Sequence, residues 1–331
     1  VNRIDRLLTP PPADRPSAYI PGDRGRALAE GRELPTRVRG AALFADISGF
    51  TTLTEALAEE LGSQRASEVL TGHLNRVFHS VIAELDRYGG DVIYFSGDAV
   101  TCWLDDDDGS RAIASAFAMH NAISRDGAIE TPGGLSFQLG LKVAVAVGPA
   151  RRFVVGDPEI QLIDVLAGDL IDRIAEAEQL AETGDVVLDS ATADSLRGRV
   201  QLRQGGQAVE RLLEHVAEVP APSGEALSDE LARPWLLPAV YERLSTGRGE
   251  FLAELRPAFP VFAKFGGIDY DADESAPEKL DAFVRAAQRI FSRHGGNVLQ
   301  LTLGDKGAYL YGVFGTPFAH EDDAARACAA A

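Results

Sequence analysis

Two short patterns occur twice in this chain, in the same order, and they limit how it can be organised. Phe44-Ala45-Asp46 has its counterpart in Phe262-Ala263-Lys264, and Tyr88-Gly89-Gly90-Asp91-Val92 in His294-Gly295-Gly296-Asn297-Val298. A helical stretch separates the two patterns in each half; in the first half Leu70, Leu74, Val77, Phe78, Val81, Ile82 and Leu85 fall on one helical face. A strand, a helix and a glycine-closed hairpin that recur in this way point to two copies of one unit. A third pair, Ser96-Gly97-Asp98 and Leu303-Gly304-Asp305, is one residue further from its Gly-Gly in the second copy. A slip of one residue in a strand reverses the face that a side chain occupies, so Asp305 need not face as Asp98 does.

The chemistry concentrates in the first copy. Ala42 to Asp46 reads as a short buried strand, Ser48 as an N-cap and Gly49 as a point of close backbone approach to a ligand. That puts the Asp46 carboxylate at a strand end, beside the free N–H groups of a helix start. The acid can hold a cation, and the N–H groups can hold phosphate oxygens. Asp98 stands on a second apolar run, after the turn glycine Gly97. The two acids on neighbouring strands would make a site for Mg²⁺ and a polyphosphate.

Around these motifs the expected order is strand Val38–Asp46, helices 50–61 and 66–88, and a hairpin of 91–95 with 99–103. A helix over 111–124 follows, then a strand from Gly134 that stops at Gly148-Pro149. Next come a hairpin around Gly156-Asp157-Pro158, a helix over 168–182, a strand over 186–189 and a short helix over 191–196. This is an α+β, ferredoxin-like pattern, the split βαβ. The acidic run Asp105–Asp108 reads as the solvated start of a helix. A short helix over 23–30 precedes the first unit, and residues 1–18, rich in Pro and Arg, read as an extended lead-in. The domain boundaries expected are 1–37 extended, 38–200 first unit, 201–256 linker with a helix near 239–244, and 257–331 a partial second unit with a helix over 277–294.

Phe44-Ala45-Asp46-Ile47-Ser48-Gly49-Phe50-Thr51, followed by Tyr88-Gly89-Gly90-Asp91 and Gly97-Asp98, resembles the catalytic domain of class III adenylyl and guanylyl cyclases, in the tandem form of soluble adenylyl cyclases. The resemblance covers about residues 38–200, with a degraded second copy over 257–331. It implies conversion of ATP to cyclic AMP and pyrophosphate with two Mg²⁺ or Mn²⁺ ions, for intracellular signalling. Asp46 and Asp98 would be the catalytic metal ligands, joined by the Ile47 carbonyl, and the backbone of Ser48, Gly49, Phe50 and Thr51 would hold phosphate. It also implies that the two copies pair within the chain. Gln300 occupies the place of the family's base-reading lysine, which leaves the choice of purine open. Asp172 and Glu176 stand where the family has Asn and Arg, so the pair would have one site, and Arg173 reads as a helix-surface cation. The later half of the second copy would lie beyond Ala331, and further C-terminal domains are compatible with the resemblance. The alternative reading is a weak pseudo-cyclase that senses nucleotide or pairs with other units. A diguanylate-cyclase-like palm lacks support, because Gly89-Gly90-Asp91-Val92 only begins like its loop.

Composition sets outer limits. The chain has 331 residues, 45% of them hydrophobic and 25% charged, which suits a globular protein. The net charge of −18 argues against nucleic acid and anionic membrane as partners. No apolar run matches a membrane span, and the first residues lack the apolar core of a signal peptide, so a cytoplasmic location is expected. Cys102 and Cys328 form no disulfide framework and read as buried thiols. The six histidines show no metal-ligand spacing.

Overall fold

A computed structural model describes residues 15–204, 206–219, 227–246, 257–304 and 307–331. In chain order its elements are α1 Gly22–Ala29, β1 Arg37–Ser48, α2 Phe50–Leu61, α3 Ser63–Arg87, β2 Asp91–Ser96, β3 Ala99–Asp105, α4 Ser110–Asp126, β4 Ala128–Glu130, β5 Ser136–Gln138, β6 Gly140–Val155, β7 Ile163–Ala167, α5 Asp169–Glu178, β8 Val186–Leu188, α6 Ser190–Ser195, β9 Val200–Leu202 and β10 Val209–Leu212. After these come α7 Asp229–Ala232, α8 Pro238–Ser245, β11 Phe259–Phe265, α9 Ala276–Arg293, β12 Asn297–Thr302, β13 Ala308–Phe314 and α10 Asp323–Ala330.

The first sheet runs β2-β3-β1-β6-β7, with β8 parallel to β6. Its β2-β3-β1-β6 part is antiparallel, the arrangement expected of a split βαβ unit. Alternation along β1 sends Ala41, Leu43, Ala45 and Ile47 to one face, where they pack with Leu53, Leu57, Val77, Val81 and Ile113 of the helical layer. Ala42, with Trp103, Ala144 and Ala146, meets Leu170, Ile171 and Ile174 of α5 on the other face. The second sheet, β11-β13-β12, is antiparallel and repeats the order β1-β3-β2.

Both Gly-Gly pairs are held by the same two physical requirements. The first glycine of each is left-handed, with φ of 70° at Gly89 and 82° at Gly295. A Cβ on the second would strike a packed side chain, Leu85 at 2.4 Å from Gly90 and Phe314 at 2.5 Å from Gly296.

Several expectations need correction. The long strand β6 does not stop at Gly148-Pro149 but continues to Val155. The Arg152 N–H donates to Thr36 O, which sets the bonding phase between β1 and β6. Pro149, opposite Arg39, falls on the phase turned away from β1, so its missing N–H breaks no bond to that strand. The stretch read as a linker from residue 201 carries β9 and β10, and Val200 and Val209 belong to the first core. Further on, Trp235, Leu236 and Leu244 pack with Ile20 near the start of the chain. The helix expected over 168–182 is the shorter α5. Cys102 is buried, but Cys328 is exposed. The expected extended lead-in over 1–18 lies largely outside the described residues, as does Asp305.

The arm of β6 and β7 docks on the second half. Phe153, Val155, Val165 and Ala167 share a core with Leu280, Val284 and Phe291 of α9. Polar ties flank it. Gly156 N donates to Asp281 Oδ1 at 2.8 Å, Asp157 N to Gln288 Oε1 at 2.8 Å, and Arg289 pairs with Asp157 at 3.0 Å.

Candidate active site

Asp46 lies two residues before the end of β1, opposite Ala99 of β3 and Lys142 of β6. Residues directly opposite in an antiparallel pair share a face, so Asp46 and Lys142 emerge side by side. The Lys142 Nζ stands 3.1 Å from Asp46 Oδ2, and the same ammonium is bonded to the Glu178 carboxylate at the last residue of α5. All three side chains keep about a quarter of their surface exposed. Burial has the largest influence on Asp46 and lifts its carboxyl above the usual 3.8; Lys142 pulls the other way, and repulsion from Asp98 and Glu178 adds to the rise. Burial works against the Lys142 charge, but the two carboxylates outweigh it and raise the ammonium's pKa.

Asp98 sits in the two-residue turn between β2 and β3. The Ile47 N–H donates to Asp98 O at 3.1 Å, so the Ile47 peptide edge faces that turn. N–H and C=O of one strand residue point to the same side, which turns the Ile47 carbonyl toward the turn as well. Sequence alone made Ser48 an N-cap; the structure corrects this. Ser48 is the last residue of β1, on the phase that bonds β6 opposite Gly140, so its N–H is directed there. The N-cap of α2 is Gly49, at φ 91°, with no side-chain cap. Gly49, Phe50 and Thr51 thus make the turn and first helical residues beside Asp46.

A cleft of about 150 Å³ opens beside these groups, lined among others by Phe44, Ser96 and Glu178 of the first half and Thr302 and Tyr309 of the second. Gln300 reaches it through Thr302, to whose Oγ1 its Nε2 donates at 3.1 Å. Lys264 holds the second sheet's counterpart of the Asp46 position, opposite Tyr309. A neighbouring cleft of about 300 Å³ is lined by Asp169, Asp172, Asp269 and Asp271, an acidic wall that opposes a polyphosphate. Asp172 and Glu176 are both exposed on α5. Arg173, expected as a helix-surface cation, is drawn into the fold. It is half-buried, its Nε and Nη2 donate to Asp189 Oδ2 at 2.9 and 2.7 Å, and Nη2 also donates to Val147 O at 3.0 Å.

Sequence reasoning missed Lys142 and Glu178. A single lysine inside the apolar run Leu141-Lys142-Val143-Ala144-Val145 was the available signal for the first. Glu178 carries no local signal; only the passage of α5 across the sheet brings it to Lys142. Among the described residues no group of three or more His, Cys, Asp and Glu side chains has metal-holding geometry. The two acids nonetheless suit Mg²⁺, which keeps waters and substrate phosphates among its ligands and takes one or two carboxylates from the protein. The ammonium 3.1 Å from Asp46 shows that this carboxylate accepts a cation at that spot. Among the described residues no helix is long and apolar enough to cross a membrane.

No family model matches the chain. It is similar to human (Homo sapiens) adenylate cyclase type 10, with 24% identity over 319 residues, 84% of this chain and 19% of that protein. The rat (Rattus norvegicus) protein of the same name is 28% identical over 155 residues, 45% of this chain and 9% of the relative. The chain therefore spans under a fifth of the length of the human relative. Among solved structures, the adenylyl cyclase CyaB from P. aeruginosa has a TM-score of 0.42 at 22% identity, covering 58% of this chain and 98% of its own. The guanylyl cyclase Cya2 has a TM-score of 0.44 at 20% identity, with the same coverages. This α+β chain is thus distantly similar, across most of its length, to adenylate cyclase type 10.

Proposed function

We propose that the chain carries a class III nucleotidyl cyclase unit that converts ATP to cyclic AMP and pyrophosphate. The observation that carries this reading is the convergence of Asp46, Asp98 and the Ile47 peptide edge beside the start of α2. The sequence similarity to adenylate cyclase type 10 supports it.

Asp46, Asp98 and the Ile47 carbonyl would hold two divalent cations. Mg²⁺ or Mn²⁺ there would supply Lewis-acid activation of the ribose 3′-hydroxyl and neutralise triphosphate charge. The N–H groups of Gly49, Phe50 and Thr51 would receive phosphate oxygens at the helix start. In the reaction the bond from O3′ to the α-phosphorus forms, the bond from that phosphorus to pyrophosphate breaks, and the hydroxyl proton leaves to solvent. Gln300 would meet the purine edge from the second half, an amide being able to donate and accept there. The arm of β6 and β7 on α9 would hold the halves in register as an intramolecular pair. The acidic wall of the larger cleft is consistent with a single site per pair. A cytoplasmic signalling role is part of this proposal, as are activators and further domains.

A second reading has one specific observation in its favour. Lys264, in place of an acid, leaves the second half without the matching ligand, as in a regulatory copy that senses nucleotide or only pairs. The test is cyclic nucleotide formation from ATP and from GTP with Mg²⁺ or Mn²⁺, against Asp46→Ala. Product that depends on Asp46 supports the enzyme; nucleotide binding without product supports the regulatory copy.

A further inference from the structure

We propose that Glu178 is a positioning residue that sets the strength of cation binding at Asp46, by holding Lys142 when a divalent ion displaces it. The inference rests on the metal reading above and deepens it. Lys142 is the hinge of the idea. Its ammonium is shared between Asp46 Oδ2, at 3.1 Å, and Glu178. A divalent ion on Asp46 must remove that contact, because ammonium and metal compete for the same carboxylate.

What the displacement costs depends on where the ammonium goes. With Glu178 present it keeps one full carboxylate partner on the neighbouring helix, so little is lost. With a neutral side chain at 178, Asp46 would be the one carboxylate left bonded to Lys142 among the described residues, and a half-buried ammonium would have to be stranded. Glu178 also lines the cleft beside Phe44 and Ser96, so a Lys142 drawn toward it stays at the site wall. The position of α5 makes this possible: Ile171, Ile174 and Ala177 anchor its buried face on the sheet, and Glu178 follows as its last residue.

The test is Mn²⁺ titration of the full 331-residue chain by calorimetry and by the loss of the free-ion spin-resonance signal. The chains compared are wild type, Asp46→Asn, Glu178→Gln, Lys142→Met and Glu178→Gln with Lys142→Met. Circular dichroism checks the fold of each, and Lys142→Gln replaces the methionine variant if that does not fold. Glu178→Gln is expected to weaken Mn²⁺ binding about fivefold to tenfold, the scale of a partly exposed charge-assisted bond. Lys142→Met is expected to tighten it, and the Glu178→Gln effect should shrink markedly in the Lys142→Met background, where only the direct field of the carboxylate remains. An undiminished effect in that background would make Glu178 a ligand or a plain field source and overturn the proposal, as would wild-type affinity in Glu178→Gln. If the wild-type chain shows no Mn²⁺ binding that Asp46→Asn removes, the metal reading itself falls and the role of Glu178 with it.

Discussion

The two halves begin alike and end with opposite charges at the same place. In the first sheet Phe44 and Asp46 lie on a face covered by α5, and the acid is met by Lys142 and flanked by Asp98. In the second sheet Phe262 and Lys264 hold the corresponding positions, but Phe262 is 65% exposed and stacks on Tyr311 at 4.8 Å. Strand order and glycine geometry are shared, so the repeat is one of backbone. Function depends on side chains that the backbone does not dictate. A half-buried acid beside a second acid would suit a cation, whereas a lysine on an open aromatic face would repel one.

The largest expected effect comes from the acids that distinguish the halves. Asp98→Asn should lower Mn²⁺-dependent nucleotide turnover by at least about 10²-fold, the range for removing one charge-stabilising group from a reaction centre. Initial-rate measurements check this; a loss under threefold would erase the distinction. Next come the shared glycines. Gly90→Ala and Gly296→Ala should each destabilise the fold by roughly 1–3 kcal/mol through overpacking. Urea unfolding should give similar losses for the two, since the blocking contacts are 2.4 and 2.5 Å. A large disparity would break the backbone half of the comparison.

The pH response is smaller and sharper. The Asp46 carboxyl titrates above 3.8, and only its ionised form attracts a cation. Mn²⁺ affinity should therefore fall as pH drops through that raised value, earlier than for an ordinary aspartate, with no such step in Asp46→Asn. Titrations at a series of pH values show the step. The smallest effect is expected from Lys264→Asp. An exposed strand position changes stability by within about 0.5 kcal/mol, and a lone carboxylate on an open face should add no Mn²⁺ site. A second stoichiometric site in calorimetry would show that the halves differ by one residue only.

Much of this arrangement was legible in the chain. The run Ala42–Asp46, the helical spacing before Gly89 and the hairpin around Gly97 carry local signals, because periodicity and turn glycines act over a few residues. What failed to read had non-local causes. Pro149 looks like a strand end until the hydrogen-bond phase against β1 is known. Ser48 resembles an N-cap until the pairing with Gly140 draws it into β1. Residues 200–212 look like linker because β9 and β10 are short and gain their place only by packing on the first core. The site divides in the same way. Asp46 and Asp98 sit in recognisable motifs, while the Lys142 bridge to Glu178 arises from tertiary contact alone.

Product formation decides whether the first half alone carries a catalytic cation site. Purified 331-residue chain is incubated with Mn²⁺ and ATP, and cyclic AMP is quantified by mass spectrometry for wild type, Asp46→Asn and Lys264→Ala. The expected result is slow product formation that Asp46→Asn abolishes and Lys264→Ala leaves within about twofold, as for an exposed side chain that holds no metal in this reading. Equal product from wild type and Asp46→Asn would contradict it.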